Sequence, residues 1–329
     1  PMLRKLCLLG SVIFAAALSL AAAQDSRHFT FHYAFTVKNV PAGQKIRIWI
    51  PEAHSDAYQE VKVVSARGDL PFKQTSESKY GNQIYYAETV AAQPELHFDI
   101  EYEVTRHERL ALGSAAHVIS VSLSSAEKRQ DLQPDALVPV TGLPADLAAK
   151  VTRGKTQPLE KARAIYDYVF TTMRYDKTGT GWGHGDVLYA CDAKKGNCTD
   201  FHSLFIAMAR SQGIPARFEI GFPLPSDKHS AEIAGYHCWS DFYIDGKGWI
   251  PVDISEAWKH PERHDYFFGS HDVNRVQFSM GRDLRLNPPQ DGKPINYFVY
   301  PYVEVDGREY PNVSLAFSFA DIGAAVAMK

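Results

Sequence analysis

From Arg27 to about Leu123, apolar residues fall on every second position. Phe29, Phe31, Tyr33, Phe35 and Val37 alternate with polar or small residues, and Leu96, Phe98, Ile100, Tyr102 and Val104 alternate with His97, Asp99, Glu101 and Glu103. Successive strand side chains point to opposite faces, so this period of two predicts half-buried strands. Ile46, Ile48 and Ile50 predict another, and Gln83–Thr89 and His117–Leu123 two more, with Pro and Gly in several gaps. An antiparallel β-sandwich over residues 24–125 is the expectation.

The periodicity weakens from 126 to 157, where Pro134, Pro139, Gly142, Pro144 and Gly154 interrupt short charged runs. A linker is expected there, with room for a short helix around Ala145–Val151. Pro158 then opens a segment in which Ala162, Ile165, Tyr166 and Val169 recur at helical spacing, ending near Tyr175. A glycine-rich loop, Gly179 to Gly185, carries Trp182. The next helix is predicted to start at Asn197 as N-cap, with Asp200 at the third position and Leu204, Phe205, Met208 and Ala209 on its buried face. Gly213 ends it, and strand-like pieces follow at 216–222, 236–244 and 248–254. The fold class is therefore α+β, with a second unit over 158–329. Its last part, including aromatic Tyr297–Val305, either extends that unit or packs back on the sandwich.

Arg4 and Lys5 precede an apolar run, Leu6–Leu20, that ends in Ala21-Ala22-Ala23. This layout predicts a signal peptide over residues 1–23 and a periplasmic or secreted protein with no stable membrane span after cleavage. An uncleaved anchor is the rival reading. The formal net charge is −3, and losing the two leader cations makes it more negative, which disfavours a nucleic-acid partner. Cys7 leaves with the leader. Cys191, Cys198 and Cys238 remain, and an odd count in an exported chain flags a free thiol.

Cys198 falls in the first turn of its predicted helix, where the partial positive charge of the helix start lowers a thiol pKa. Gly196 before it lets a substrate carbonyl approach, and the Cys198 N–H is a candidate oxyanion donor. His237, on a strand, can face that helix start and take the thiol proton, and Asp253 on the next strand can orient the imidazole. Taken singly, Cys198 has a bland reading as a buried structural Cys and His237 as a surface or satisfied core His; with Asp253 they form a candidate catalytic set. A zinc site from Cys191, Cys198 and His237 or Cys238 is disfavoured, because the first two cysteines are too far apart in sequence for a zinc-binding Cys pair. No metal or other cofactor is expected.

Gly196-Asn197-Cys198-Thr199-Asp200, Gly213-Ile214-Pro215-Ala216-Arg217, His237-Cys238-Trp239 and Gly248-Trp249-Ile250-Pro251-Val252-Asp253 together resemble the core of the bacterial transglutaminase-like superfamily, from about Pro158 to Ser255. The resemblance implies a papain-like fold with a Cys-His-Asp triad acting on amides through a thioester. By motif, the nucleophile is Cys198, the base His237 and the orienting acid Asp253. Hydrolysis of an amide or peptide bond is the leading expectation, because favouring an amine over water needs a tunnel or lid. Protein-glutamine transamidation and a non-catalytic peptide-binding envelope protein are the alternatives. The expected partner is a protein or peptide substrate, cell-wall peptide among the candidates.

Further candidates for substrate contact are Trp182, Tyr236, Trp239 and His202. Trp182 lies closer to the nucleophile than the oxyanion-stabilising Trp of animal transglutaminases, so it is read as a cleft wall. Tyr236 and Trp239 flank His237, with strand packing as the bland alternative. His202 lies one turn after Cys198. Cys238 is expected to face away from His237, which leaves two readings: a Cys191–Cys238 disulfide, or two reduced thiols.

Overall fold

The computed structural model describes residues 25–113 and 122–323. The expected leader and most of the expected strand His117–Leu123 lie outside them. Counting strands of three residues or more, β1 (Ser26–Val37), β2 (Lys45–Pro51), β3 (Gln59–Gly68), β4 (Lys73–Ser76), β5 (Gln83–Val90) and β6 (Leu96–His107) come first. Later strands are β7 (Ala216–Pro223), β8 (Ser230–Glu232), β9 (His237–Ile244), β10 (Gly248–Val252), β11 (Arg275–Met280), β12 (Tyr302–Val305) and β13 (Val313–Asp321).

The N-terminal half is a sandwich of two sheets, as the alternation requires. One has the order β8-β13-β1-β6-β3; the other runs β12-β2-β5-β4, with Arg308–Glu309 beyond β12. Phe29, Phe31, Tyr33, Ile100, Tyr102, Ile46, Ile48 and Ile50 are buried, each large ring or branched chain contributing about 1.5–3 kcal/mol by leaving water. Both sheets are completed from the far end of the chain. β13 pairs antiparallel with β1, placing Phe319 opposite Phe31, and β12 pairs with β2, placing Tyr302 opposite Trp49. The outer side of β2 and β5 is not solvated, because Trp49, Ile84 and Tyr86 pack with Leu284, Leu286 and Phe298.

The region expected as a linker holds α1 (Ser125–Gln130), capped by Ser124 and Glu127 reciprocally, and α2 (Leu143–Val151). α3 (Pro158–Thr172) starts at Pro158 as its spacing demands, and α4 (Val187–Ala193) was not foreseen. α5 (Cys198–Ser211) is buried on every side from Cys198 to Arg210, which makes it the central helix. α2, α3 and α4 pack around it, and a four-stranded antiparallel sheet, β10-β9-β7-β11, closes the remaining side. On that side Phe205 meets Phe242 at 5.9 Å. The opposite face of the sheet meets the sandwich through rings: Phe31 on Phe222 at 5.1 Å and Tyr33 stacked on Phe278 at 5.4 Å. The chain is thus an α+β protein, a β-sandwich followed by a papain-like helix-on-sheet core.

Candidate active site

The site forms where the start of α5 meets the start of β9. Asn197 caps α5: its side chain accepts from Thr199 N–H, and Asp200 closes the capping box by accepting the Asn197 N–H at 2.9 Å. The same Asp200 carboxylate accepts from Gly183 N–H (2.7 Å) and Gly185 N–H (3.0 Å), so it ties the glycine-rich loop to the helix start. Gly196 serves this arrangement. A Cβ there would lie 2.1 Å from an Asp200 oxygen, so the glycine makes room for Asp200, not, as expected from sequence, for a substrate carbonyl. Arg282, fully buried, pins the loop from the other side by donating to the carbonyls of Gly185 and His184 and to Ser203 Oγ.

The three expected residues come together. His237 opens β9, opposite Gly221 of β7. Its Nε2 lies 2.7 Å from Asp253 Oδ2, which leaves Nδ1 for the sulfur, and a side-chain hydrogen bond joins the imidazole to Cys198. Asp253 is not within the strand as expected but one residue beyond β10, where it caps the short helix α6 (Ile254–Lys259). That position gives its Oδ1 the Glu256 N–H and the Ser255 hydroxyl, while Oδ2 also takes Arg275 Nη1 at 2.9 Å.

These contacts polarise the charges. Burial works against ionising Asp253, yet the His237 and Arg275 charges hold its carboxyl well below the usual range. Burial would likewise lower His237, but Asp253 dominates and raises it to about 10. For Cys198, burial pushes the thiol up, while hydrogen bonds to Cys238 and His237 and the imidazolium charge bring it well below the ordinary value. Both shifts favour the thiolate–imidazolium form of the pair.

The remaining candidates separate into two groups. Trp182 and Tyr236 line a depression of about 370 Å³ that reaches Cys198, walled further by Tyr297 and Tyr300. It adjoins a groove of about 790 Å³ that reaches His237. Trp182 donates its indole N–H to Gly179 O at 3.1 Å, and the Tyr236 hydroxyl bonds Thr199 Oγ1 and Asn197 Nδ2. Trp239 and His202, in contrast, are fully buried and cannot touch substrate in this arrangement. Strand alternation sends Trp239 behind His237, ring centroids 5.9 Å apart. His202 accepts the Ile254 N–H on Nε2 at 3.0 Å, and burial lowers it to about 4, so it is neutral.

Cys238 does lie on the sheet face opposite His237, but α5 packs on that face, so its sulfur sits beside the site. It contacts Thr199 Oγ1 at 3.7 Å and His202 Nδ1 at 3.8 Å, and it shares a hydrogen bond with Cys198. Cys191, Cys198 and Cys238 are all free thiols. Arg275 went unnoticed in the sequence. Its only signal is a charged residue in a strand whose neighbours Val276 and Phe278 are core. Among the described residues no three His, Cys, Asp or Glu side chains are grouped to hold a metal ion, and no helix is long and apolar enough to cross a membrane.

A buried thiolate paired with an imidazolium on a papain-like core defines a cysteine-dependent enzyme. Residues 145–254 match the transglutaminase-like superfamily. An uncharacterized protein of Haemophilus influenzae is 29% identical over 316 residues, covering 85% of each chain. Among solved structures, a candidate cysteine protease from Cytophaga hutchinsonii shares the fold, with 15% identity, coverage of 91% of this chain and 98% of that one, and a TM-score of 0.57. The periplasmic domain of TgpA from Pseudomonas aeruginosa aligns more loosely, with 17% identity over 77% of this chain and 88% of that one and a TM-score of 0.37.

Proposed function

We propose that the chain is an exported cysteine amidohydrolase that cleaves an amide or peptide bond through a thioester on Cys198, with His237 as acid and base and Asp253 as the residue that orients it. The observation that carries this reading is the hydrogen-bonded run from Cys198 through His237 to Asp253, charged as thiolate, imidazolium and carboxylate. The thiolate bonds to the carbonyl carbon, and the Cys198 N–H at the helix start faces the developing oxyanion. The C–N bond then breaks as the leaving amine takes the His237 proton. Water attacks the thioester and gives a proton back to the imidazole; the acid leaves and the ion pair is restored.

Hydrolysis is favoured over amine transfer because the depression at Cys198 opens directly into the larger groove at His237, with Tyr175, Lys177, Gly235 and Tyr236 common to both. Water has free access to such a cleft. Export rests on the leader pattern of the sequence.

Incubating the protein with a glutamine-containing peptide, with and without a primary amine, tests the reading by product mass. Ammonia or peptide fragments without amine incorporation, abolished in Cys198→Ala, are expected. Dominant amine incorporation would instead make it a transferase, and a Cys198 no more reactive than Cys191 would remove the enzyme altogether.

A further inference from the structure

The core sheet has a second face, turned away from α5, of which the cleft uses only the His237 end. Arg217, Glu219, Trp239, Asp241 and Trp249 project there, because each alternates with a residue packed under the helix. Between this face and loops of the N-terminal half lies a cavity of about 380 Å³, with Tyr80, Asp131, Arg217, Trp249, Gln277 and Met280 in its wall. That volume suits a small molecule.

Its polar groups are left incomplete. The carboxylate of Asp131, a residue 4% exposed, accepts no hydrogen bond from any described residue; its Oδ1 is sealed off, so Oδ2 is the atom left to face the cavity. Neighbouring ions are already spoken for: Arg109 and Arg217 pair with Asp241, Arg217 also with Glu219, and Arg210 and Lys79 with Asp135. Arg217 uses Nε and Nη2 for those pairs and keeps Nη1 without a partner among the described residues. Its guanidinium carbon lies over Trp249, 4.1 Å from the ring centroid, and this contact together with the two carboxylates holds the group in place. Gln277, 5% exposed, has its backbone tied to Gln59 while its side-chain amide has no described partner. Of these atoms Asp131 Oδ1 is both buried and unpartnered; such a group is rare in native proteins and calls for an explanation.

A carboxylate and a guanidinium nitrogen thus face one cavity. A lone cation would be resisted by Arg217 and a lone anion by Asp131, whereas a molecule carrying both charges satisfies each. We propose that this cavity is a binding site for a small zwitterion of amino-acid size, its ammonium on Asp131 and its carboxylate on Arg217 and the Gln277 amide. Trp249 and Met280 supply the apolar wall. The site does not depend on the hydrolase reading, although it lies close behind the imidazole: Glu219 accepts the Trp239 indole N–H at 2.6 Å, and Trp239 packs on His237.

Calorimetric titration of full-length Cys198→Ala protein with L-leucine tests this without turnover, with 3-methylbutylamine and 4-methylpentanoate as the two half-molecules. Saturable one-to-one binding with a Kd of about 1 mM or tighter is expected, each half-molecule binding at least about tenfold more weakly. Asp131→Asn and Gln277→Leu should each weaken leucine binding several-fold. The Gln277 amide holds nothing else in place, so that variant keeps the test alive should Asp131→Asn misfold. No saturable binding of leucine, half-molecules that bind as well as leucine, or binding that survives both substitutions would overturn the proposal.

Discussion

Asp253 carries two cations on one oxygen, and the Arg275 contact sets how firmly it holds His237. Arg275 and Asp253 are both buried, so removing the guanidinium leaves a carboxylate facing His237 alone. Arg275→Gln should cost about 3 kcal/mol or more in stability. It should also raise the pH at which Cys198 becomes reactive toward iodoacetamide, a shift that a merely structural role would not produce. Arg275→Lys should recover part of both. In the wild type, Cys198 should alkylate first and well below pH 8.5, and Cys191, pushed up to about 11 by burial, should lag.

The same ion pair fixes a pH profile of stability. A depressed thiol pKa contributes stability that is lost as pH falls, and a raised imidazole pKa contributes stability lost as pH rises toward about 10. Unfolded His and Cys titrate near about 6.5 and 8.5. Between those values each state of the pair holds one proton, so its contribution is flat; it declines on either side. Cys198→Ala should abolish the acid-side decline due to this pair and begin its alkaline decline earlier, near pH 6.5, which melting temperatures across pH 5–10 would reveal. A difference between the two proteins that does not vary with pH would contradict the ion pair.

At the level of elements, the start of α5 is a joint between helix and loop, with Asp200 as the pin. Gly196→Ala should cost about 1–3 kcal/mol, because its Cβ and the Asp200 carboxylate need the same space. In Asp200→Ala that clash is gone. The two substitutions should therefore be far from additive, the double variant melting close to Asp200→Ala alone. This joint was half legible in the sequence. Asn197 and Asp200 show as a helix start, since capping is local chemistry. The tie from Asp200 to Gly183 and Gly185 does not show, because backbone N–H groups carry no side-chain signature. The triad was readable from motif and strand order, whereas Arg275 reaches Asp253 from another strand by tertiary packing alone. For Trp239 and His202 the packing reading holds over substrate contact, because proximity in sequence to a reactive residue says nothing about which side of it faces solvent.

For the whole molecule, alternation revealed β1, β2, β5 and β6 but not their neighbours, because a strand pattern names a buried face and leaves the hydrogen-bonding edge unspecified. β13 occupies the edge of β1, and Arg27 then ties the two strands together through Asp321 while also reaching Asn274. Ending the chain at residue 301 removes β12 and β13 and leaves β1, twelve residues long, as an open edge lined by Phe31 and Tyr33. Such a truncation should be largely insoluble or protease-sensitive even though the triad is intact, and soluble yield with limited proteolysis would show it.

That closure also orders events in time. Synthesis delivers β1 long before β13, so the earlier strand waits on one side for a partner that does not yet exist. The aromatic surface it shares with Phe222 and Phe278 is therefore sealed only once β13 has been made, and until then the nascent protein carries that sheet unfinished.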